Sequence, residues 1–567
     1  MRSIVLFMVL SLWLFALPQV INEQIRKSGI SKRDISIYIK EAGARGKVVA
    51  SLNAGKTRTP ASVIKVLSTY AATLKLGFNY RWQTKFYTTG TLRKGILNGD
   101  LLIKGFGDPT LNDKDLVKIV SYIKAEGIRK VQGNIVIDRS YFKVGNRDSS
   151  GFDENPYSAY NAMPDAMMFN ERVSTVCVNP KANSVYKKNA DGSYKVVNKL
   201  KRVNKPCRGR YSWPGVKIDK SEVMPKVILK GKISKRCGKR NICKVLTKPY
   251  KSFYYALKDK MKEEGISVSG HMKLRKIPKI ATELFTYYSD SLEKIISKTA
   301  KKSNNLYARH LLLLLGAKTY GAPATLQKGR DAVVKILSSK KALGTGVLRI
   351  DNGSGLSRVA KLNARLLATM FDNAYDRYGQ RWMNTLSIAG VDGTIKRRFR
   401  GTVVRNRAWM KTGTLRRVKN IGGYVKNRAG KRYSVVILVN STKAKYRAAK
   451  LQNEIIKWLV NGMARPTVKP KTKMIVKAKS HKHKIKKKSK AITKRHIPKY
   501  YVQVGSFKLK PGKKYISKIR KMGLPYKIKK MNIYKVLIGP YRQKTHANKI
   551  LKKVRSNINK GAFITKI

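Results

Sequence analysis

The heptapeptide TPASVIK, residues 59–65, follows two alternating strand-like segments, Ile35 to Lys40 and Val48 to Leu52, and opens a helix-like stretch. Ser62 and Lys65 are three residues apart, so a helix places them on one face, one turn from each other. A lysine amine that is desolvated enough to be neutral can remove the serine proton, and the serine can then attack a carbonyl carbon. The heptapeptide therefore predicts a serine nucleophile with a lysine base.

Two further motifs follow this pair along the chain. Ser303-Asn304-Asn305 opens a helical run, and Lys411-Thr412-Gly413, which occurs once, lies in a strand-like segment. A lone Ser-x-x-Lys pair is weak evidence in a lysine-rich chain, where Ser121 and Lys124 have the same spacing. The three motifs in this order resemble the Ser-x-x-Lys, Ser-x-Asn, Lys-Thr-Gly set of penicillin-binding proteins and serine β-lactamases.

The chemistry of that set accounts for the residue types. Ser303 supplies a second hydroxyl, which passes a proton to the leaving amine, and Asn305 supplies an amide that holds the substrate peptide. Lys411 supplies a charge for the terminal carboxylate of the substrate. These three residues, with Ser62 and Lys65, are the predicted catalytic residues.

The strand that carries Lys411 is predicted to bind the substrate through Thr412, Gly413 and Thr414. A glycine lets this strand approach the substrate closely. The backbone amides of Ser62 and Thr414 would then form the oxyanion hole.

The segments around the motifs predict an α/β fold of the α+β type. Ile421 to Lys426 and Tyr433 to Val439 form a predicted hairpin, and Lys445 to Leu459 form an amphipathic helix. A strand pair and helix at the front, with three strands and a helix at the back, fit one antiparallel sheet between helices. Both ends of this part of the chain meet on that sheet.

Over about residues 22 to 463 the sequence resembles the low-molecular-mass, class C penicillin-binding proteins of the D-alanyl-D-alanine carboxypeptidase/endopeptidase type, peptidase family S13. The resemblance implies a transpeptidase fold like that of penicillin-binding proteins and serine β-lactamases, split into residues 21–84 and 281–463 by a large, mostly-β insert over 85–280. Further segments that carry it are Gly105 to Leu111, Ile137 to Phe142, Gly353 to Arg358 and Gly390 to Thr394.

The resemblance implies a serine DD-peptidase that hydrolyses peptidoglycan stem peptides through an acyl-enzyme, needs no cofactor or metal, and is acylated by β-lactam antibiotics. A serine β-lactamase or esterase on the same fold is the alternative, and an inactive cell-wall-binding protein is a third. Two positions depart from the family pattern. Arg309 stands where an acidic residue is expected, and Asn352 stands where Asp is common.

Four cysteines fall inside the predicted insert: Cys177, Cys207, Cys237 and Cys243. In an exported protein they predict two disulfides, for which three pairings are open. Cys177 with Cys207 and Cys237 with Cys243 are favoured because each pair closes a local loop. A zinc site is the alternative, although no CxxC spacing supports it.

The N-terminus predicts export. Met1-Arg2-Ser3 precedes an apolar run from Ile4 to Leu17 and then Pro18, the pattern of a signal peptide over residues 1–20. An uncleaved anchor at the membrane surface is the alternative. The predicted location of the mature chain is the periplasm.

The charge of the chain predicts an anionic environment. Its 125 Lys and Arg residues against 29 Asp and Glu residues give a net charge of +96. Nucleic acid, anionic lipid and cell wall all suit this charge, and export favours the wall over nucleic acid. Residues 464–499 are basic, contain three prolines and lack acidic residues, so they predict a disordered linker.

Residues 500–567 predict a small βαββαβ domain. Two of its strands, in Tyr501 to Phe507 and Tyr534 to Tyr541, resemble the signature strands of a SPOR domain. That resemblance implies binding of peptidoglycan glycan strands through Gln503, Ser506 and Phe507, and enrichment at the division septum. A generic ferredoxin-like module is the alternative.

Overall fold

The computed structural model describes residues 17–144, 152–189 and 191–463, and in the C-terminal region residues 500–507, 509, 511–520, 522–530, 534–541, 543–559 and 561–566. The chain divides into two compact units at residue 468. The predicted signal peptide through residue 16 and the predicted linker 464–499 lie outside the described residues.

The first unit contains helices that begin and end as follows: α1 Gln19–Ser28, α2 Lys65–Leu76, α3 Asp113–Ala125, α4 Pro249–Glu263, α5 Leu292–Lys301, α6 Asn305–Tyr320, α7 Leu326–Ser339, α8 Ala364–Met383 and α9 Ala449–Val460. Among these helices α8 has a kink at Gly379. Among the described residues, no helix has the length and apolar character needed to cross a membrane.

The strands of the first unit are β1 Ile35–Glu41, β2 Val48–Leu52, β3 Arg81–Arg93, β4 Ile96–Gly105, β5 Lys130–Val131, β6 Ile135–Asp138, β7 Ser174–Asn179, β8 Ser184–Lys187, β9 Lys195–Val203, β10 Gly215–Asp219, β11 Lys226–Ser234, β12 Arg240–Lys244, β13 Ser267–Val268, β14 Met272–Leu274, β15 Thr282–Ser291, β16 Ser387–Ile388, β17 Ala408–Leu415, β18 Val418–Lys426 and β19 Arg432–Asn440.

A six-stranded sheet in the order β16-β17-β18-β19-β1-β2 carries the site. Strand β1 pairs antiparallel with β19, with Ile35 opposite Val439, so the two ends of this unit meet on the sheet as predicted. Alternate residues of β19 enter different cores. Val436 and Leu438 pack on the side of α2, α6 and α8, whereas Val435 and Ile437 pack on the side of α1 and α9. Burial on both faces explains the continuous apolar run of this strand.

Helix α1 begins inside the segment predicted as a signal peptide. The boundary at residue 20 falls within the helix, which starts at Gln19 after Pro18. Ile21 and Ile25 are buried in the core beside α9, and the Leu17 carbonyl accepts a hydrogen bond from the Asn22 side chain. Leu17 and the residues of α1 therefore belong to the folded unit.

The segment between α2 and α5 builds separate sheets. A seven-stranded sheet contains β13-β5-β4-β3-β15 with β6 and β14, and α3 and α4 pack on it through Ile119, Ile123, Phe253 and Leu257. Two three-stranded sheets, β10-β11-β9 and β12-β7-β8, lie between β6 and α4 in the chain. Strand β3 crosses the predicted insert boundary at residue 85, and β15, which pairs with it, lies wholly after the predicted boundary at residue 280.

The favoured cysteine pairing differs from the structure. The disulfide joins Cys207 to Cys237, and Cys177 and Cys243 are free thiols. Strands β9 and β11 are parallel and place Val203 beside Ser234, so the residues that follow each strand end come together. Cys177 instead lies on β7 of the other three-stranded sheet, opposite Asn241 of β12. Strand pairing, and not loop length, selects the disulfide.

The second unit is a four-stranded sheet in the order β21-β22-β20-β23 with two helices. Its core contains Val502, Val504, Val536 and Ile538 from the strands. This is the predicted βαββαβ order, with bounds β20 Tyr500–Phe507, α10 Lys513–Arg520, β21 Tyr526–Lys530, β22 Tyr534–Tyr541, α11 Lys544–Asn557 and β23 Phe563–Lys566.

Candidate active site

Ser62 lies in a 3-10 turn, Ala61–Ile64, that runs directly into α2 at Lys65. Ala61 has a φ of 48°, a left-handed conformation that costs free energy for a residue other than glycine and is concentrated at functional sites. The Lys65 side chain is completely buried. The turn therefore presents the Ser62 hydroxyl above a lysine that water does not reach.

The Lys65 amine has three neighbours. Nζ donates to Ser62 Oγ at 2.8 Å, to Asn305 Oδ1 at 2.8 Å, and to the backbone oxygen of Ser354. The amide and carbonyl oxygens can only accept, whereas the serine hydroxyl can also donate. A neutral amine has two N–H groups and one lone pair. When both N–H groups go to the obligate acceptors, the lone pair faces the Ser62 hydroxyl.

Burial favours this neutral form. Desolvation lowers the pKa of Lys65 well below its ordinary value, and the nearby charges of Lys411 and Arg309 lower it further. A lowered pKa favours the neutral amine, which has the lone pair that a general base needs.

The second hydroxyl–amine pair lies beside the first. Lys411 Nζ donates to Ser303 Oγ at 2.9 Å and to the Thr412 backbone oxygen at 2.6 Å. Ser303 has a φ of 56°, and Lys411 is completely buried. Burial lowers the pKa of Lys411 to about 7. This lysine therefore exchanges protons near neutral pH and becomes a stable cation when an anion binds beside it.

Strand β17 runs very close to the Ser62 turn at Gly413. A β-carbon at this position would lie 2.7 Å from the Pro60 oxygen and 3.0 Å from the Ser62 nitrogen. The next residue, Thr414, is exposed, and the Thr412 hydroxyl donates to Thr394 Oγ1 at 2.9 Å. Residues 412–414 of β17 therefore run alongside the Ser62 turn, and the oxyanion hole formed by the Ser62 and Thr414 amides stays a prediction.

Two site contacts come from backbone oxygens that the sequence motifs do not predict. The Ser354 oxygen contacts Lys65, and the Tyr160 oxygen, in the insert, accepts from Asn305 Nδ2 at 3.0 Å. Only the first had a sequence signal, the Gly353-Ser354-Gly355 run. Gly355 has a φ of 76°, and a β-carbon there would collide with the Ala61 oxygen at 2.1 Å.

The two departures from the family pattern have different consequences. Asn352 Oδ1 accepts from the Ser354 amide at 3.0 Å and from its hydroxyl at 2.6 Å, contacts that an Asp carboxylate would also make. Arg309 is buried on α6 and donates to the Ala162 backbone oxygen in the insert. An acidic side chain cannot replace that donor.

The residues predicted to bind glycan lie on β20 of the second unit. Gln503 Nε2 donates to Ser506 Oγ at 2.9 Å, and the Phe507 ring meets the Tyr515 ring edge-on at 4.8 Å. A register shift between Gln503 and Gly505 accompanies the first contact. The three residues therefore form one short stretch at the end of a central strand.

A family model described as the D-Ala-D-Ala carboxypeptidase 3 (S13) family matches residues 17–461, and a SPOR domain model matches residues 498–566. D-alanyl-D-alanine carboxypeptidase DacB of Haemophilus influenzae is 26% identical over 414 residues, which cover 70% of this chain and 83% of the relative. D-alanyl-D-alanine carboxypeptidase of Actinomadura sp. (strain R39) is 27% identical over 402 residues, with coverage of 67% and 73%.

A solved structure gives the same comparison in three dimensions. Penicillin binding protein 4 (dacB) from Haemophilus influenzae matches with a TM-score of 0.67 at 22% sequence identity, covering 78% of this chain and 99% of that chain. This likeness confirms the predicted penicillin-binding-protein fold.

Proposed function

The chain belongs to the D-Ala-D-Ala carboxypeptidase 3 (S13) family, and from that premise we propose that it removes terminal D-Ala from peptidoglycan stem peptides, and cuts D-Ala-linked cross-bridges, through an acyl-enzyme on Ser62. Its class, a serine peptidase of the D-Ala-D-Ala carboxypeptidase type, follows from the family. The observation that carries the residue assignment is the position of Lys65 Nζ, 2.8 Å from Ser62 Oγ and 2.8 Å from Asn305 Oδ1.

Acylation begins at the Lys65 lone pair. Lys65 takes the Ser62 proton while Oγ attacks the carbonyl carbon of the penultimate D-Ala, and the carbonyl oxygen becomes an oxyanion. The Ser62 and Thr414 amides donate to that oxyanion, because Gly413 allows the strand to lie against the turn. The Asn305 side chain stays bound to Lys65 through this step and orients the amine.

The leaving amine needs a proton before the peptide bond breaks. Ser303 Oγ, 2.9 Å from Lys411 Nζ, donates one, and the pair is then reprotonated by the Lys65 ammonium. The terminal carboxylate of the substrate binds beside Lys411 and holds that residue in its charged form. Water attacks the ester on Ser62 in the second half of the cycle, and Lys65 again takes the proton.

β-Lactams enter the same sequence of steps. Ser62 opens the lactam ring and retains the product as an ester, and the carboxylate on the β-lactam replaces the substrate carboxylate at Lys411. A second solved structure of penicillin binding protein 4 from Haemophilus influenzae is a complex with a β-lactam. Its fold, with a TM-score of 0.63, supports the assignment of a β-lactam site to the equivalent cleft of this chain.

The second unit extends the proposal to glycan. The SPOR model over residues 498–566 supports binding to peptidoglycan, and we assign that binding to Gln503, Ser506 and Phe507. The enzyme would work outside the cytoplasm on the wall polymer, in the periplasm and at the division septum. Tethering through residues 464–499 would raise its local concentration at the substrate.

Labelling with a fluorescent penicillin, followed by mass spectrometry of the labelled peptide, tests the function. A stable adduct on Ser62, with release of D-Ala from a pentapeptide, is the expected result. Rapid loss of the label would identify a β-lactamase, and absence of label would identify an inactive wall-binding protein.

A further inference from the structure

We propose that Arg309 is a positioning residue for acylation: it ties residues 160–162 of the insert to α6 beside Asn305 and sets a fixed positive charge near Lys65. The inference rests on the proposed function of Ser62. It assigns a use to the departure from the family pattern at this position.

Two side chains of α6 hold the same short segment of the insert. Asn305 and Arg309 are four residues apart, so they lie on one helix face, one turn from each other. Asn305 donates to the Tyr160 oxygen at 3.0 Å, and Arg309 donates to the Ala162 oxygen. The second contact therefore fixes the segment that the first one uses.

The Tyr160 oxygen selects the orientation of the Asn305 amide. In the observed orientation Nδ2 meets that oxygen, and Oδ1 meets Lys65 at 2.8 Å. The reversed amide would place two N–H donors against the lysine and remove one of its acceptors. A displaced Tyr160 would thus weaken the arrangement that turns the Lys65 lone pair toward Ser62.

Tyr160 belongs to a three-residue 3-10 turn, Ala159–Asn161. Its hydroxyl donates to the Asp153 carboxylate at 2.8 Å, on the side of the turn away from α6. The buried Asn161 side chain anchors the turn to the other side, through Asp153 at 2.7 Å and the Asn155 oxygen at 3.0 Å. On the α6 side, the side-chain hydrogen bonds to this turn come from Asn305 and Arg309, and Ala162 packs in the core that α6 also enters.

Among the described residues, Arg309 has no carboxylate in direct ion-pair contact, because Asp351 pairs with Arg330 instead. Asp351 acts on it from a distance, and the Asp351 carboxylate accepts a hydrogen bond from another arginine, Arg330. A buried cation without a partner is costly, so a neutral donor would suit a purely structural role better. The positive charge has an electrostatic consequence at Lys65.

The two cationic side chains near Lys65 both lower its pKa. Lys65 faces Lys411 from β17 and Arg309 from α6, and both lower its pKa in addition to burial. Arg309 itself faces Asp351, and its charge also acts on the buried His310. Loss of the Arg309 charge would therefore raise the pKa of Lys65, and the amine would keep its proton to higher pH.

The test measures the second-order rate of acylation by a fluorescent penicillin from pH 5 to 9 in the full chain. The variants are Arg309→Met, which removes donor and charge, and Arg309→Lys, which keeps both in reduced form. Arg398→Met is the matched control, because this arginine is also largely buried, has a pKa lowered to about 10 by desolvation, and donates to α9 away from the site.

We expect Arg309→Met to slow acylation at least tenfold and to move the acid limb of the rate profile toward higher pH, while Arg309→Lys restores the limb and most of the rate. Arg398→Met should change the melting temperature without moving the limb. An Arg309→Met variant that matches Arg398→Met in both rate and limb would overturn the inference. If Arg309→Met does not fold, Arg309→Gln is measured instead. An acid limb at the wild-type position in Arg309→Gln would also overturn the inference. If the wild-type chain is not labelled at all, the proposed function is rejected, and this result is distinct from failure of the Arg309 inference.

Discussion

Gly413 and Ser62 lie against each other through their backbones: a β-carbon on Gly413 would be 3.0 Å from the Ser62 nitrogen, closer than ordinary contact allows. Strand β17 and the turn that carries Ser62 are therefore in close backbone contact, with no room for a side chain between them. The proposed oxyanion hole depends on that contact, because its two amides, of Ser62 and Thr414, would come from the two sides of the contact.

Gly413→Ala should lower the acylation rate by about 100-fold, the typical loss when one oxyanion donor is misplaced. The added methyl group pushes β17 away from the turn and separates the Thr414 amide from that of Ser62. Stopped-flow labelling measures the rate. Gly55→Ala is the control, since a β-carbon at Gly55 meets nothing within 4 Å. Equal rates for the two variants would disprove the proposed oxyanion hole.

Ser62→Ala should abolish both penicillin labelling and release of D-Ala, because this hydroxyl is the proposed nucleophile, which the Lys65 amine would activate. Its described contacts are 2.8 Å to Lys65 Nζ and 3.3 Å to the Ser354 oxygen, both within the site, so the fold should remain. Circular dichroism provides the check on folding. Labelling that persists in the folded variant would remove Ser62 as the nucleophile.

Lys411→Ala should slow acylation by carboxylated β-lactams more than acylation by neutral active esters, by at least tenfold. Only the first class needs a cation for its carboxylate. Parallel rate measurements with the two substrate classes give the ratio. Equal losses would point to a general structural role for Lys411.

The pH dependence of stability should carry a signature of Lys411. Its pKa of about 7 in the folded chain lies below the ordinary lysine value of 10.5, so between these values the unfolded chain binds more protons. Stability must then rise with pH across this window, by about 2 kcal/mol from pH 7 to 9 for this one group. The free energy of unfolding, measured with urea at pH 7 and at pH 9, should rise by this amount more in the wild type than in Lys411→Met. An equal rise in both proteins would contradict the lowered pKa.

The second unit should bind purified sacculi, and removal of stem peptides by an amidase should increase the binding. Gln503→Ala and Phe507→Ala should weaken it. The isolated unit, residues 500–567, is compared at low and high salt, because screening abolishes nonspecific attraction of a basic domain but spares contacts to sugars. Binding that disappears at moderate salt and ignores the amidase would leave only electrostatic adhesion.

The contact between Ser62 and Lys65 and the location of Lys411 on a strand were predictable from the sequence, because helix spacing and strand pattern are local properties. The contacts of the Ser354 and Tyr160 oxygens were not predictable in this way. Every residue has a backbone oxygen, so its use at a site leaves no mark on residue type unless a glycine makes room for it, as Gly355 does.

The cysteines illustrate the same limit. Short loops favoured Cys177 with Cys207, but the loop-closure entropies of the candidate pairs differ little. The parallel pairing of β9 with β11 decided the outcome in favour of Cys207 with Cys237. Such a pairing joins strands that are distant in sequence, and no local pattern encodes it.

The pairing of β1 with β19 also means that the central sheet is completed late in synthesis of the chain. A ribosome makes Ser62 early and makes the strand that carries Val439, the partner of Ile35, almost 400 residues later. Until that strand is made, the nascent chain contains Ser62, the proposed nucleophile, but no completed sheet to hold Lys411 beside it. A product that stops short of β19 therefore lacks the strand that joins β18 to β1, and its sheet stays divided into two parts.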